Sequence, residues 1–463
     1  MGIVEAKCKL RVTTALQTVC AKLADSITGG RLKFAVGESL LEAIRHYIDA
    51  TERAVETALA ISYGSVPVRS ELSRPGRSRD DVSQLDGLSA RSSATMWHEI
   101  RVGHRDCILE RDAFTLPSAA TALHYQRTDM TIRVMHFGLG PIGCAVARQL
   151  LARKGFKIVG GIDIDGSKAG KDVGDIIGIE RTLRARVWAD ASEALRKTDA
   201  DVVVLCTTSK FKDVAPQIKS VLGAGIPIVS TTEEMAYPTT RNRVLAREID
   251  ALAKRAKVAV LATGVNPGFV MDTLPIMLTA PCERVDAIYV DRIQDAGSRR
   301  LPFQKKIGAG LTVKEFKQKV TDGSVRHVGL EESIQMIADA LGWKVSKITD
   351  QISPKVAQTP IKSKDIAVEA GQVCGLIQDG VGYVDGRPVI TLHMEAYLGA
   401  PESYDAVRIE GHPALNMRIL GGTPGDVATA SMVVNSIPKV LTAMPGYRTM
   451  RDMPIPSFYR GKC

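Results

Sequence analysis

The sequence predicts an α/β protein. A Rossmann doubly wound parallel sheet is expected over residues 130–272 and an α+β domain over 273–420. A C-terminal helix and tail, 421–463, should pack back on the first domain. Three observations carry this. From Met130 onward, short apolar runs alternate with amphipathic helical runs, the signature of βαβ units on a parallel sheet. The first run enters a GxGxxG turn. Beyond Asp272 the strand-like runs lengthen and alternate residue by residue, as in "GYVDGRPVITLHMEAYLG".

Residues 1–129 precede this pattern as an N-terminal extension of uncertain structure. "LLEAIRHYIDATERAVETALAI" (40–61) has helical periodicity, and the Ser/Arg/Gly/Asp-rich stretch after it has no sustained period and reads as linker. Met130 stands immediately before the first strand, and a fold of this kind needs nothing ahead of it. Residues 1–129 therefore read as a mispredicted upstream extension, or otherwise as an appended accessory segment.

The turn "GLGPIG" runs from Gly138 through Gly140, Pro141 and Ile142 to Gly143. GxGxxG alone is weak. Here a strand precedes it, a helix follows, and an acid, Asp163, stands about 20 residues on. Gly138 permits the turn, Gly140 lets a pyrophosphate approach the backbone, and Gly143 lets helix and strand pack. The helix N-terminus then presents free N–H groups to phosphates. Asp163 would accept from both ribose hydroxyls and repel a 2′-phosphate, which favours NAD. Lys168 and Lys171 nearby keep NADP open.

Ligands of open parallel sheets bind beyond the carboxyl ends of the strands. "VVVLCTTS" delivers Thr207, Thr208 and Ser209 there. "PIVSTTEEMAYP" delivers Thr231, Thr232, Glu233 and Glu234, and "VAVLATGVNPGF" delivers Gly264, Asn266 and Pro267. The hydroxyl residues either admit a ribose or cap helices. One acid of the Glu pair could hold and deprotonate a substrate ammonium. The bland alternative is that both complement a helix dipole.

In the second domain two helices, "TVKEFKQKVTDG" and "GLEESIQMIADALGW", are inserted among the strands. "GSRRLPFQKKIGAG" concentrates Arg299, Arg300, Gln304, Lys305 and Lys306, and reads as a solvated basic loop or as a binder of a carboxylate or phosphate. Arg300, Gln304 and His327 are the substrate-binding candidates, although a lone His is more often a packing residue. The last helix should start with Thr423 as N-cap and Pro424 at its first position, and Pro438 should kink or end it. Asp426 and Asn435 on it are further candidates for contact with a nicotinamide amide.

Bulk properties bound the rest. The chain has 463 residues, 45% hydrophobic and 24% charged, with net charge +10. Residues 1–129 hold 17 Lys/Arg against 16 Asp/Glu, so the excess lies later. No dense basic tract with aromatics is present, and a nucleic-acid partner is not expected. The eight cysteines are scattered without a CxxC pair, which argues against a metal site and for a reduced, cytoplasmic chain. No apolar run approaches the roughly 20 residues that span a bilayer.

Several segments together resemble a known family: "GLGPIG" with "GIDID", "STTEEMAYP", "TGVNPGFVMDTLP", "PFQKKIGAGLTVKEF", "HVGLEESIQMIADALGW" and "GDVATASMVVNSIP". Residues 130–463 resemble the 2,4-diaminopentanoate dehydrogenases and related NAD(P)-dependent amine dehydrogenases, which share the fold of dihydrodipicolinate reductase. The resemblance implies oxidative deamination of a small-molecule amine or diamino acid, reversible as reductive amination. It also implies a second domain for substrate and dimerisation, and hence a homodimer. It places the catalytic glutamate at Glu233, with Glu234 as the adjacent alternative, and the loop beside the nicotinamide at Asn266–Phe269. Dihydrodipicolinate reductases themselves have a His-His run, whereas His327 and His393 stand singly here. A cyclic-imine reductase or semialdehyde dehydrogenase remains the second reading, and a non-catalytic dinucleotide sensor the third.

Overall fold

The computed structural model describes residues 131–239 and 241–461. The periodic segment 40–61 and the linker after it lie outside them.

The first half of the described chain alternates strand and helix in the expected order. β1 is Ile132–Phe137, α1 Pro141–Leu151, β2 Phe156–Ile162, α2 Val173–Ile177 and β3 Val187–Trp188. There follow α3 Ala191–Lys197, β4 Val202–Leu205, α4 Phe211–Gly223, β5 Ile228–Ser230, α5 Arg243–Ala256 and β6 Ala259–Ala262. β4 (VVVL) and β6 (AVLA) are buried at every position, as strands covered on both faces must be. Alternation along β1 divides the core. Val134 faces the cluster that holds Leu150, Val433 and Ile437, while Met135 and Phe137 face the one that holds Ile218, Val221 and Ile249.

The second half begins with α6 Thr273–Leu278, β7 Arg284–Asp295, α7 Leu301–Lys306, α8 Val313–Thr321 and α9 Leu330–Ala340. Strands β8 Lys347–Val356, β9 Ile361–Lys362, β10 Ala367–Val368, β11 Val373–Val384, β12 Arg387–Tyr397, β13 Tyr404–His412 and β14 Leu415–Leu420 follow. Six of the strands form one sheet, ordered β14-β13-β7-β12-β11-β8, with only β12 and β7 parallel. α9 lies on this sheet because β11 carries glycine beneath it. A Cβ at Gly382 would stand 2.7 Å from Cγ2 of Ile334. A capping box of Thr312 and Glu315 starts α8.

The chain then returns to the first sheet. α10 (Gly425–Val440) packs on α1, where Ser431 Oγ donates to Gln149 Oε1 (3.1 Å). β15 (Gly446–Arg448) pairs in parallel with β6. The seven-stranded parallel sheet is ordered β15-β6-β5-β4-β1-β2-β3, so the direction of winding reverses between β1 and β4.

Two local expectations need correction. The segment expected as a basic loop folds as α7, with a proline in its first turn. The last helix starts at Gly425, with Pro424 rather than Thr423 at the N-cap. Thr423 is held elsewhere. Its N–H donates to Asp405 (2.7 Å) and its carbonyl accepts from Arg292 (3.0 Å). Arg292 and Asp405 form a buried ion pair, 2.7 Å, with 2% and 1% of their side chains exposed. Pro438 lies in the last turn, and α10 ends two residues later.

Candidate active site

The winding reversal puts the glycine turn in a crevice at the carboxyl ends of the strands. Gly138 has φ +94°, and a Cβ there would stand 2.5 Å from the Cys206 carbonyl oxygen. A Cβ at Gly143 would meet the Gly138 carbonyl oxygen at 2.0 Å. Both are glycine because the protein's own backbone fills the space. Gly140 differs: a Cβ there meets nothing within 4 Å. Open space therefore lies before the N-terminus of α1, which carries no side-chain cap and has Pro141 and Ile142 as its first residues. That fits the pyrophosphate of a dinucleotide.

Asp163 ends β2 beside this turn. Its carboxylate accepts from the N–H of Leu139 (2.8 Å) and of Asp165 (2.9 Å), and Lys168 Nζ approaches to 3.0 Å. Burial opposes its ionisation, yet these donors hold its carboxyl below the usual range. Next to it Ile164 is 91% exposed, an apolar surface at the mouth of the crevice.

The strand-end hydroxyls take several roles. Thr207 donates to Gln217 (2.7 Å), and Thr232 donates to the Thr208 carbonyl (2.8 Å). The Thr231 N–H donates to the Leu205 carbonyl (3.0 Å). The Ser209 carbonyl accepts from the Glu234 N–H (3.2 Å).

The adjacent acids separate clearly. Both lie in a 3₁₀ turn, Glu233–Met235, after β5. Glu234 accepts from the N–H of Phe211 (2.9 Å) and so closes the first turn of α4. Glu233 has no such task. Burial pushes its carboxyl above the usual range, against the lowering effect of Lys306 and of the Ser209 hydroxyl.

The loop after β6 forms the facing wall. Asn266–Pro267 is a cis peptide and Gly268 has φ +126°. Asp272, fully buried, accepts from the Gly268 N–H (2.7 Å), the Thr273 N–H and the Ser333 hydroxyl (2.8 Å). It thereby ties the loop to α9. Pro267 packs on Gly329, where a Cβ would meet its ring carbon at 2.4 Å. The Asn266 side-chain oxygen is buried without a partner among the described residues.

The second domain contributes His327 and Lys306. The His327 backbone is clamped by buried Gln378, which accepts from its N–H (2.8 Å) and donates to its carbonyl (3.0 Å). Its Nε2 is buried without a partner, and burial lowers its pKa to about 3, so the ring is neutral. Glu332, on the first turn of α9, is buried too, and burial raises it to about 7.

The other expected contacts are engaged structurally. Arg299 (2.9 Å) and Arg300 (3.1 Å) both pair with Asp426. Gln304 is fully buried, donating to the Arg299 carbonyl (2.7 Å) and accepting from Ser363 (2.9 Å). Asn435 accepts from Arg153 (2.5 Å) and from the Tyr459 N–H (3.0 Å), and so ties α1 to the C-terminal tail. Asp426 and Asn435, the expected candidates for a nicotinamide contact, are the acceptors in these bonds. Sequence reasoning also passed over Asp272 and Glu332. The only available signal was an acid in a segment otherwise apolar or at a helix start.

Fold and crevice define a nicotinamide-dinucleotide-dependent oxidoreductase with a Rossmann domain and a second, mostly antiparallel sheet. Comparisons with known proteins narrow this. The 2,4-diaminopentanoate dehydrogenase C-terminal domain family matches residues 269–463. The 2,4-diaminopentanoate dehydrogenase of Acetoanaerobium sticklandii is 39% identical over 71% of this chain and 95% of its own. An amine dehydrogenase of Streptomyces virginiae is 22% identical over 70% and 96%. The solved amine dehydrogenase of Mycobacterium smegmatis superposes with a TM-score of 0.65 at 27% identity, over 73% of this chain and 100% of that one. The chain belongs to the 2,4-diaminopentanoate dehydrogenase family, within the amine dehydrogenase class of oxidoreductases. Among the described residues, no helix is long and apolar enough to cross a membrane.

Proposed function

We propose that this protein catalyses NAD-linked oxidative deamination of a small amino acid of the 2,4-diaminopentanoate kind, and the reverse reductive amination. The observation that carries the reading is the division of labour between Glu233 and Glu234: one carboxylate caps α4, and the other stands half-buried at the strand ends, capping no helix. The name of the 39% identical relative supports the substrate class.

Glu233 holds the substrate ammonium by a charge-assisted hydrogen bond and takes one proton from it. The neutral amine can then release hydride from its carbon. A nicotinamide dinucleotide held in the crevice would supply the hydride acceptor for deamination and the hydride donor for amination. Glu233, now protonated, passes its proton to solvent, water adds to the imine carbon, and ammonia leaves as the ketone forms. The loop of Asn266 to Gly268 and α9, braced by Asp272, wall the reacting carbon from bulk water. Gly138 to Gly143 would cradle the pyrophosphate, and Asp163 the adenosine ribose. NAD is preferred because the Asp163 carboxylate repels a 2′-phosphate, while Lys168 beside it tempers the preference. Thr207, Thr208, Ser209 and Thr231 line the path of the nicotinamide ribose.

A homodimer follows the family resemblance. The free Cys144, Cys206, Cys282 and Cys374 support a reducing, cytoplasmic setting.

Glu233→Gln tests the reading. Turnover of 2,4-diaminopentanoate should fall about 100- to 10,000-fold, the usual contribution of a general base, with NADH affinity kept. In the unmodified enzyme, deamination should rise with pH as Glu233 ionises. That limb should lie above the ordinary glutamate value because burial raises the group, and it should vanish in the variant. Near-full activity of Glu233→Gln would reject the role.

A further inference from the structure

We propose that Lys306 and Nε2 of His327 together bind the substrate carboxylate, and so select amino acids over amines that carry none. This rests on the deamination reading above and names its specificity site.

The argument starts from what is already bonded. Around α7, Arg299 and Arg300 are held by Asp426, and Gln304 by the Arg299 carbonyl and Ser363. These bonds fix the helix and leave Lys306, its last residue, with no carboxylate in ion-pair range among the described residues. His327 reaches the same place from another element. Gln378 clamps its backbone on both sides, which fixes the point from which the ring projects. Its Nε2 is buried without a partner. In a neutral ring that carries its proton there, this nitrogen is a donor lacking an acceptor.

The two groups and Glu233 lie within electrostatic reach of one another: Lys306, exposed at the end of α7, acts on the Glu233 carboxyl and on the His327 ring alike. Three elements thus bring an acceptor for an ammonium, an exposed cation and a ring nitrogen buried without a partner within reach of one substrate. A molecule with an amine at one end and a carboxylate at the other satisfies all three, whereas a plain alkyl amine leaves the cation and the donor unmatched. Desolvating a donor without a partner is costly, so the site discriminates against the molecule that lacks the carboxylate. A second consequence follows from charge. Lys306 draws down the basicity of Glu233, and a carboxylate seated on Lys306 offsets that pull, so the right substrate makes Glu233 a better base.

The test compares 2,4-diaminopentanoate with 2-aminopentane, using the full-length enzyme and its Lys306→Met and Lys306→Arg variants. Loss of one charge-assisted contact corresponds to about 10- to 100-fold. The ratio of kcat/KM for the diamino acid to that for the plain amine should fall by that much in Lys306→Met, mostly through KM. Lys306→Arg should recover part of it, and the NADH dissociation constant should stay within about twofold, below the energy of a single hydrogen bond. An unchanged ratio, or a loss of NADH affinity in Lys306→Met, would overturn the proposal and make Lys306 a surface or cofactor residue. If the wild-type enzyme oxidises 2-aminopentane but not the diamino acid, the carboxylate site fails while deamination stands. If it oxidises neither, the deamination reading fails with it.

Discussion

Two glycine-bearing loops face each other across the crevice, and they are built on opposite plans. The turn from Gly138 to Gly143 is braced from β2, where the Gly138 N–H donates to the Ile162 carbonyl (2.8 Å) and the Asp163 carboxylate accepts from the Leu139 N–H. It leaves open space at Gly140. The loop from Gly264 to Gly268 is close-packed throughout. Gly268 abuts Gly264 and Thr263, Pro267 abuts Gly329 of the second domain, and Asp272 underneath bonds both the loop and α9. The first loop leaves room for a ligand. The second is a joint between domains that also serves as a wall. Gly140 in the first matters for what binds, and Gly268 in the second for what folds.

Substitutions can break this contrast. The largest effect is expected at Gly268→Ala. A Cβ there would stand 2.4 Å from the Gly264 nitrogen at a φ of +126°, so strain and overpacking should together cost about 3 kcal/mol or more. Chemical denaturation should show this directly, with activity lost in parallel. Asp272→Asn comes next. It keeps the volume but turns one acceptor oxygen into a donor that faces backbone N–H or hydroxyl donors, a loss of about 1–3 kcal/mol. If the loop is a joint, its thermal unfolding should move together with KM for the amine, not with NADH affinity. The smallest change in stability is expected at Gly140→Ala, within about 0.5 kcal/mol as for open surface sites. Dinucleotide affinity should nevertheless weaken about tenfold, or about 1.4 kcal/mol, by titration of NADH fluorescence. A Gly140→Ala protein that binds NADH normally would erase the distinction between the two loops.

The contrast also explains what could be read from the sequence. The glycine turn was legible because its parts lie within one strand, one turn, one helix and one following strand. The parallel order and the long antiparallel strands were legible from periodicity for the same reason. Glu233 and Glu234 were not separable, because the residue that distinguishes them is Phe211, whose N–H reaches Glu234 from the neighbouring helix. The bonds that engage Arg300 and Gln304 were not legible, because Asp426 and Ser363 are remote in sequence. Thr423 failed as an N-cap because a buried Arg292–Asp405 pair holds its backbone. In each case a distant partner overrode a local preference.

The return of the chain to its first sheet bears on how the protein is made. β15 pairs with β6 and α10 covers α1, yet both are synthesised only after the whole second sheet. Domains generally fold as units during synthesis, N-terminal first. Here the N-terminal unit waits on the ribosome with the edge of β6 unpaired and the α1 face bare. An exposed strand edge is a template for pairing with other chains. Nascent-chain crowding, rather than the finished enzyme's stability, is therefore the stage at which this architecture is most exposed to aggregation, and the stage at which a chaperone has most to protect.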